Sequence, residues 1–336
     1  MNSKVVLVTG AGGVGKTTVA AALAVQTAAA GRRTLVVTVD PAKRLADALG
    51  IKTRGGEPSP HPRDPNLWVA TLDAATSWQA IARRYADPVV AERLVANEFF
   101  VAATTRFPAS QSYAAAEEAT NFIDARAWEL VVVDTPPSAG GIEFFTAPAA
   151  MADLVGGRLL RWLTGGPLPG RRFLFDRTAR PALRAADSIL GSHLLERVAE
   201  FLMDLRTTYD GVARRARQIE AHLRRAQSIV ITTADPAPVA EAVRFFRALP
   251  AVAAAPAAVV FNRSLPSAWI NARPGRVSPA LAENLARWAA EARRQAEVRA
   301  EFAARYRTRL IVVPWQLKPP TDLEALAALE LNGLAG

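Results

Sequence analysis

The sequence has no cysteine, three histidines and three methionines in 336 residues. Without thiols there is no disulfide, no Cys-ligated zinc and no thiolate site for a metalloid such as arsenite. Three histidines are too few for a His-rich metal centre. Lysine is scarce as well. It occurs only at 4, 16, 43, 52 and 318, so the net charge of +10 rests on arginine. Such a bias reflects genome composition as readily as function, and specific nucleic-acid binding is not expected from it. No apolar run approaches the ~20 residues of a membrane-spanning helix, because the longest candidates are broken by Arg, Gly or Pro. The chain is therefore not expected to be an integral membrane protein. With a first strand beginning near Lys4, no leader peptide is expected either, and the expectation is a cytoplasmic protein.

Apolar residues are plentiful. Half of the chain is hydrophobic, mean hydropathy is near zero, and the length fits one large α/β domain or two smaller ones. The pattern is organised around Lys4–Thr18, KVVLVTGAGGVGKTT. A β-branched run (Val5, Val6, Leu7, Val8) leads into a glycine-rich turn and then an Ala-rich helical stretch. Gly10, Gly15, Lys16 and Thr17 occupy the fixed positions of G-x-x-x-x-G-K-[ST], in the strand–turn–helix context that motif requires. The backbone of Gly12, Gly13, Val14 and Gly15 is the candidate phosphate cradle, since glycine lets N–H groups curl around oxygens without a Cβ clash. Lys16 supplies a point charge for the β- and γ-phosphates, Thr17 a hydroxyl for Mg²⁺, and the helix N-terminus a partial positive charge. This reads as a nucleotide-binding P-loop.

Short β runs alternate with helical stretches, which predicts a mostly parallel sheet covered on both faces by helices. Strands are expected at 34–39, 67–72, 130–133, 228–232, 257–261 and 310–313, and the stretch 52–66 reads as an exposed Gly/Pro-rich loop. Strand two delivers Asp40 at its carboxyl end, where open α/β sheets bind ligands. The apolar run Leu130–Val133 ends in Asp134, the Walker B pattern; the plainer alternative is a strand-end Asp in a turn. Two regions are helical and mixed. Aromatics fall at 99, 100, 107 and 113, and an apolar stripe runs through Ile189, Leu190, Leu194, Leu195, Val198, Phe201, Leu202 and Leu205. Such a stripe is ordinary core packing, or more sharply a groove for a partner helix. The dense arginines between 158 and 225 read as a solvated helix face.

The blocks TGAGGVGKTT, VTVDPAKRLADALG, VVVDTPP, VVFNRSLP and VVPWQ resemble, in order and spacing, the ArsA-type arsenical-pump ATPases and their relatives that target tail-anchored membrane proteins. These are dimeric P-loop ATPases with deviant Walker A loops, in one class with the Min and Par ATPases. The resemblance implies a single P-loop ATPase domain over 1–336. Its nucleotide-binding core covers about 1–75, 126–150 and 226–336, and its helical subdomain about 76–125 and 151–225. It implies ATP and Mg²⁺, with Lys16, Thr17 and Thr18 on the phosphates and metal, Asp40 orienting the attacking water, and Asp134 holding Mg²⁺ through a water. Asn262 would read the adenine edge, and the loop from Pro314 and Trp315 would cover the base.

The departures matter. The family's lysine after the first P-loop glycine is Ala11 here, and its Pro-Thr-Gly-His stretch reads Pro137-Ser138-Ala139-Gly140. Alanine cannot neutralise charge on a transferring phosphoryl group, a contribution worth ~10³-fold or more from a finger-type cation. Three readings follow. The first is an Mg-ATP-hydrolysing switch, a homodimer or heterodimer whose helical subdomain binds a hydrophobic-helix client. The second is a hydrolysis-poor regulatory subunit completed by a paralogue. The third is a Par-like positioning ATPase on nonspecific DNA.

Overall fold

A computed structural model describes residues 4–39, 44–53, 56–106, 108–136, 138–156, 194–271, 277–331 and 334. Its strands are β1 (Lys4–Gly10), β2 (Thr34–Thr38), β3 (Ser59–His61), β4 (Asp64–Thr71), β5 (Leu130–Asp134), β6 (Gln227–Thr232), β7 (Ala258–Ser264) and β8 (Arg309–Pro314). They form one sheet in the order β3-β4-β2-β5-β1-β6-β7-β8, parallel throughout except for β3, which runs antiparallel on β4. This is the mostly parallel α/β architecture expected of the apolar runs. Every residue of β2 and β5 is buried, the signature of strands covered on both faces.

The helices are α1 (Lys16–Ala29), α2 (Arg44–Ala48), α3 (Ala74–Tyr85), α4 (Pro88–Ala96), α5 (Glu98–Arg106), α6 (Pro108–Asp124), α7 (Ser138–Gly156), α8 (Leu194–Arg206), α9 (Tyr209–Arg225), α10 (Pro236–Val252), α11 (Pro279–Tyr306) and α12 (Leu323–Ala327). Helix α1 is buried along most of its length because alanine dominates it, and it packs in one core with β1, β2, β5 and the C-terminal α12 segment. Gln26 ties that segment down, donating from Nε2 to the carbonyls of Leu329 (2.7 Å) and Ala327 (3.2 Å).

Two local expectations are corrected. The stretch 52–66 is not all loop, since β3 and the start of β4 lie within it. Pro60 is tolerated because β3 is an edge strand, and His61 is buried there with Nε2 2.9 Å from the Leu49 carbonyl. The seventh strand continues past Phe261 through Asn262 and Arg263 to Ser264, with a break in register where Arg263 adopts φ 54°.

The chain divides into two compact units. One comprises Met1–Asp73, Glu118–Phe145 and His222–Gly336, the other Ala74–Glu117 and Thr146–Ala221. The first contains the whole sheet. The second is helical, with a core in which Trp78 stacks near Tyr113 (5.5 Å between ring centroids) and Phe100 (6.3 Å) and donates its indole N–H to the Ser110 carbonyl at 2.9 Å. Phe100 and Tyr113 are thus core residues and not open groove walls.

Candidate functional site

The P-loop leaves the carboxyl end of β1, the strand flanked by β5 and β6. Close backbone approach explains two of its glycines. A Cβ on Gly10 would fall 2.1 Å from the Ile231 carbonyl oxygen of neighbouring β6, and one on Gly15 would fall 2.3 Å from Asn262 Nδ2. Both also have positive φ (146° and 93°), as does Gly13 (76°), where side chains are rare. Gly15 is the N-cap of α1 and, as a glycine, brings no side chain over the first N–H groups of the helix. Lys16 is buried, and its Nζ donates to the Ala11 carbonyl at 2.9 Å.

At the neighbouring strand ends, Thr17 Oγ1 donates to Asp134 Oδ2 at 2.7 Å and Thr38 Oγ1 donates to the same oxygen at 3.1 Å. The sheet register sets this up, for Thr38 and Asp134 are paired directly across β2 and β5. Thr135 turns inward, both its amide and its hydroxyl donating to the Val8 carbonyl, which anchors the chain as it leaves β5. The P-loop threonine and the strand-end carboxylate, 117 residues apart, thus share a hydrogen bond. Thr38 and Thr135 escaped sequence reading, because a β-branched residue ending an apolar strand reads as sheet propensity.

A cavity of about 230 Å³ opens beside the loop, its walls including Gly15, Thr18, Asn262, Pro314, Trp315 and Gln316. The residues expected to meet a base thus line one cleft with two from the P-loop. Asn262 is engaged on both ends of its amide, donating from Nδ2 to the Val14 carbonyl (2.8 Å) and accepting the Arg263 N–H at Oδ1 (2.9 Å). Trp315, half-exposed, is pinned through its backbone N–H to the Ser264 carbonyl at 2.8 Å.

Asp40 and Lys43 lie outside the described residues, as do Pro137 and the stretch 157–193. Ala11, at the position of the family's lysine, is only 9% exposed and belongs to the same core cluster as α1. Among the described residues no group of three or more His, Cys, Asp and Glu converges on a metal, and no helix is long and apolar enough to cross a membrane.

A family model described as anion-transporting ATPase matches residues 3–302. The chain belongs to that family. Among its relatives, an uncharacterized protein of Streptomyces coelicolor is 32% identical over 252 residues, covering 72% of this chain and 57% of the relative. A putative arsenical pump-driving ATPase of Halobacterium salinarum is 32% identical over 180 residues, covering 50% of this chain and 27% of the relative. The ATPase GET3 of Rhodotorula glutinis is 28% identical over 153 residues, covering 46% and 43%. The matched stretches thus span less than two thirds of each of these relatives. The family uses nucleotide and Mg²⁺ generally, and the P-loop strand ends are where this chain's described residues could hold them.

Proposed function

We propose that this chain is a Mg-ATP-hydrolysing molecular switch, acting as a nucleotide-dependent dimer whose helical unit engages a protein client. One observation carries the reading: Thr17 and Asp134 bring a hydroxyl and a carboxylate oxygen within 2.7 Å at the mouth of the P-loop. These are the hard oxygen donors that suit Mg²⁺, an ion that takes one or two protein ligands and completes its shell with phosphate oxygens and water. Bound there, Mg²⁺ would neutralise charge on the β- and γ-phosphates.

The chain's own residues supply the rest. The backbone of Gly12, Gly13, Val14 and Gly15 and the glycine-capped start of α1 offer N–H groups to the phosphates. Lys16 exchanges its Ala11 carbonyl for phosphate oxygens, and Thr18 lines the path from the phosphates to the base cleft. Asn262, Pro314 and Trp315 are assigned to the adenine, in keeping with their shared cleft. Asp40 is assigned to orient the water and take its proton, on the family resemblance. Water oxygen bonds to the γ-phosphorus as the bond to the β–γ bridging oxygen breaks, and ADP leaves with that electron pair. For the client surface, the supporting feature is a set of exposed apolar side chains on the helical unit, Val89, Val101 and Met203.

Ala11 favours a second reading, a hydrolysis-poor subunit awaiting a cation from a paralogue. Its burial means that a lysine introduced there must lead its ammonium out along the loop. Steady-state ATP hydrolysis by the wild-type chain, Asp40→Asn and Ala11→Lys separates the two. Turnover lost in Asp40→Asn supports a self-sufficient ATPase. Binding without turnover, with activity appearing in Ala11→Lys, overturns that reading in favour of the second.

A further inference from the structure

We propose that Asn262 braces the phosphate loop, so that the cleft side chain assigned to the base also sets the shape of the phosphate cradle. The inference takes only the identity of the ligand from the nucleotide reading; the brace itself belongs to the free chain. Asn262 is buried at the irregular end of β7, 248 residues from its partner in the loop. Its Nδ2 donates to the Val14 carbonyl at 2.8 Å. Its Oδ1 accepts the N–H of Arg263, a residue held at φ 54°, so the strand's own backbone fixes which end of the amide faces the loop. Gly15 makes the approach possible, since a Cβ there would meet Nδ2 at 2.3 Å.

The consequence follows from peptide planarity. The Val14 carbonyl and the Gly15 N–H are opposite edges of one rigid, trans unit. Holding the carbonyl toward Asn262 therefore turns the Gly15 N–H to the opposite side, away from Asn262. Gly15 is also the N-cap of α1, with positive φ, so this peptide decides how the loop enters the helix. An unbraced Val14–Gly15 peptide is free to rotate, because glycine permits both signs of φ, and a cradle that rotates must be ordered again on binding. Asn262 is in this sense a positioning residue for phosphate. Each amide end keeps further bonding capacity, one N–H and one lone pair, so bracing the loop and facing a base are compatible.

The test uses the full chain and a ligand without a base. Isothermal titration with Mg-tripolyphosphate and with Mg-ATP is run on the wild type, Asn262→Ala and the similarly sized, uncharged Asn262→Leu, which loses the donor. Hydrogen exchange of the amides of residues 13–18 is followed in the same proteins without nucleotide. The brace predicts that both variants lose affinity for tripolyphosphate by about tenfold, the order expected for one buried hydrogen bond, and for ATP by at least as much. It also predicts that their loop amides exchange about tenfold faster than in the wild type. Gly15→Ala should cost more affinity in the wild type than beside Asn262→Ala, where the Cβ has room. Unchanged tripolyphosphate affinity and unchanged exchange, with only ATP binding weakened, would overturn the brace and leave Asn262 facing the base alone. A wild type that binds neither ligand would instead overturn the nucleotide reading, with loop exchange still deciding the brace.

Discussion

In the sheet-bearing unit the polar side chains that matter gather at strand ends, where Lys16, Thr17, Thr38, Asp134 and Asn262 face one another or the loop. Among the described residues, the helical unit places a wholly buried carboxylate differently. Glu117, wholly buried, accepts from Arg84 Nη1 at 2.7 Å and Tyr85 at 3.3 Å on Oε1, and from Arg215 Nε at 3.1 Å on Oε2. Burial raises its carboxyl above the ordinary glutamate range, even against Arg215 and Arg84. The neighbouring Tyr113 and Tyr85 phenols are also pushed up by burial first. A shifted titration usually invites a functional reading. Here it marks a satisfied network inside a helix packing, while the residues assigned to chemistry line a cleft or join strands. Glu117 is structural, and its distinctness from the strand-end cluster can be broken by mutation.

The largest separation is expected in activity. Lys16→Ala and Asp134→Asn should lower ATP turnover by about 10²-fold or more with the fold retained, since both lose charge stabilisation at the phosphates. Turnover and melting temperature measured together check this. Glu117→Ala should do the reverse, costing about 3 kcal/mol in urea unfolding while leaving turnover per folded molecule unchanged, because it strands the largely buried Arg215. Glu117→Gln should cost less, as it keeps the side-chain shape and an accepting oxygen, and burial disfavours the charged form.

The pH dependence follows with its sign. A carboxyl whose folded value is raised binds a proton in the folded chain before the unfolded one. Its contribution to stability is therefore complete below the ordinary glutamate value and lost as pH rises through the raised value. Urea midpoints compared between wild type and Glu117→Gln should shift in favour of the wild type as pH falls from about 7 toward about 4.5. A constant difference would remove Glu117 from this account. The smallest effect is expected at Arg93 and Asp204, paired in the helical unit with Arg93 well exposed, where Asp204→Asn should leave the melting temperature unchanged.

Much of the sheet was legible because most of its strands contain a short apolar run ending in turn residues, as in Leu130–Asp134 followed by Thr135-Pro136. The P-loop was legible because its spacing is dictated by phosphate geometry. What escaped depends on partners distant in sequence. Strand β3 is three residues long and contains Pro60, so neither length nor alternation marks it. Glu117 and Glu118 are adjacent and read alike, yet the first is wholly buried and the second only partly. The aromatics at 100 and 113 read equally as groove or core, and only packing around Trp78 assigns them to the core. Nothing near Asn262 announces that it reaches Val14.

The central claim is that the meeting of Thr17 and Asp134 is a magnesium–nucleotide site. Equilibrium ATP binding with and without Mg²⁺, in the wild type, Thr17→Val and Asp134→Asn, tests it most directly. The account predicts that Mg²⁺ tightens ATP binding by about tenfold or more in the wild type, and that each substitution removes most of that gain. Equal Mg²⁺ dependence in all three proteins, or no ATP binding by the wild type, would contradict it.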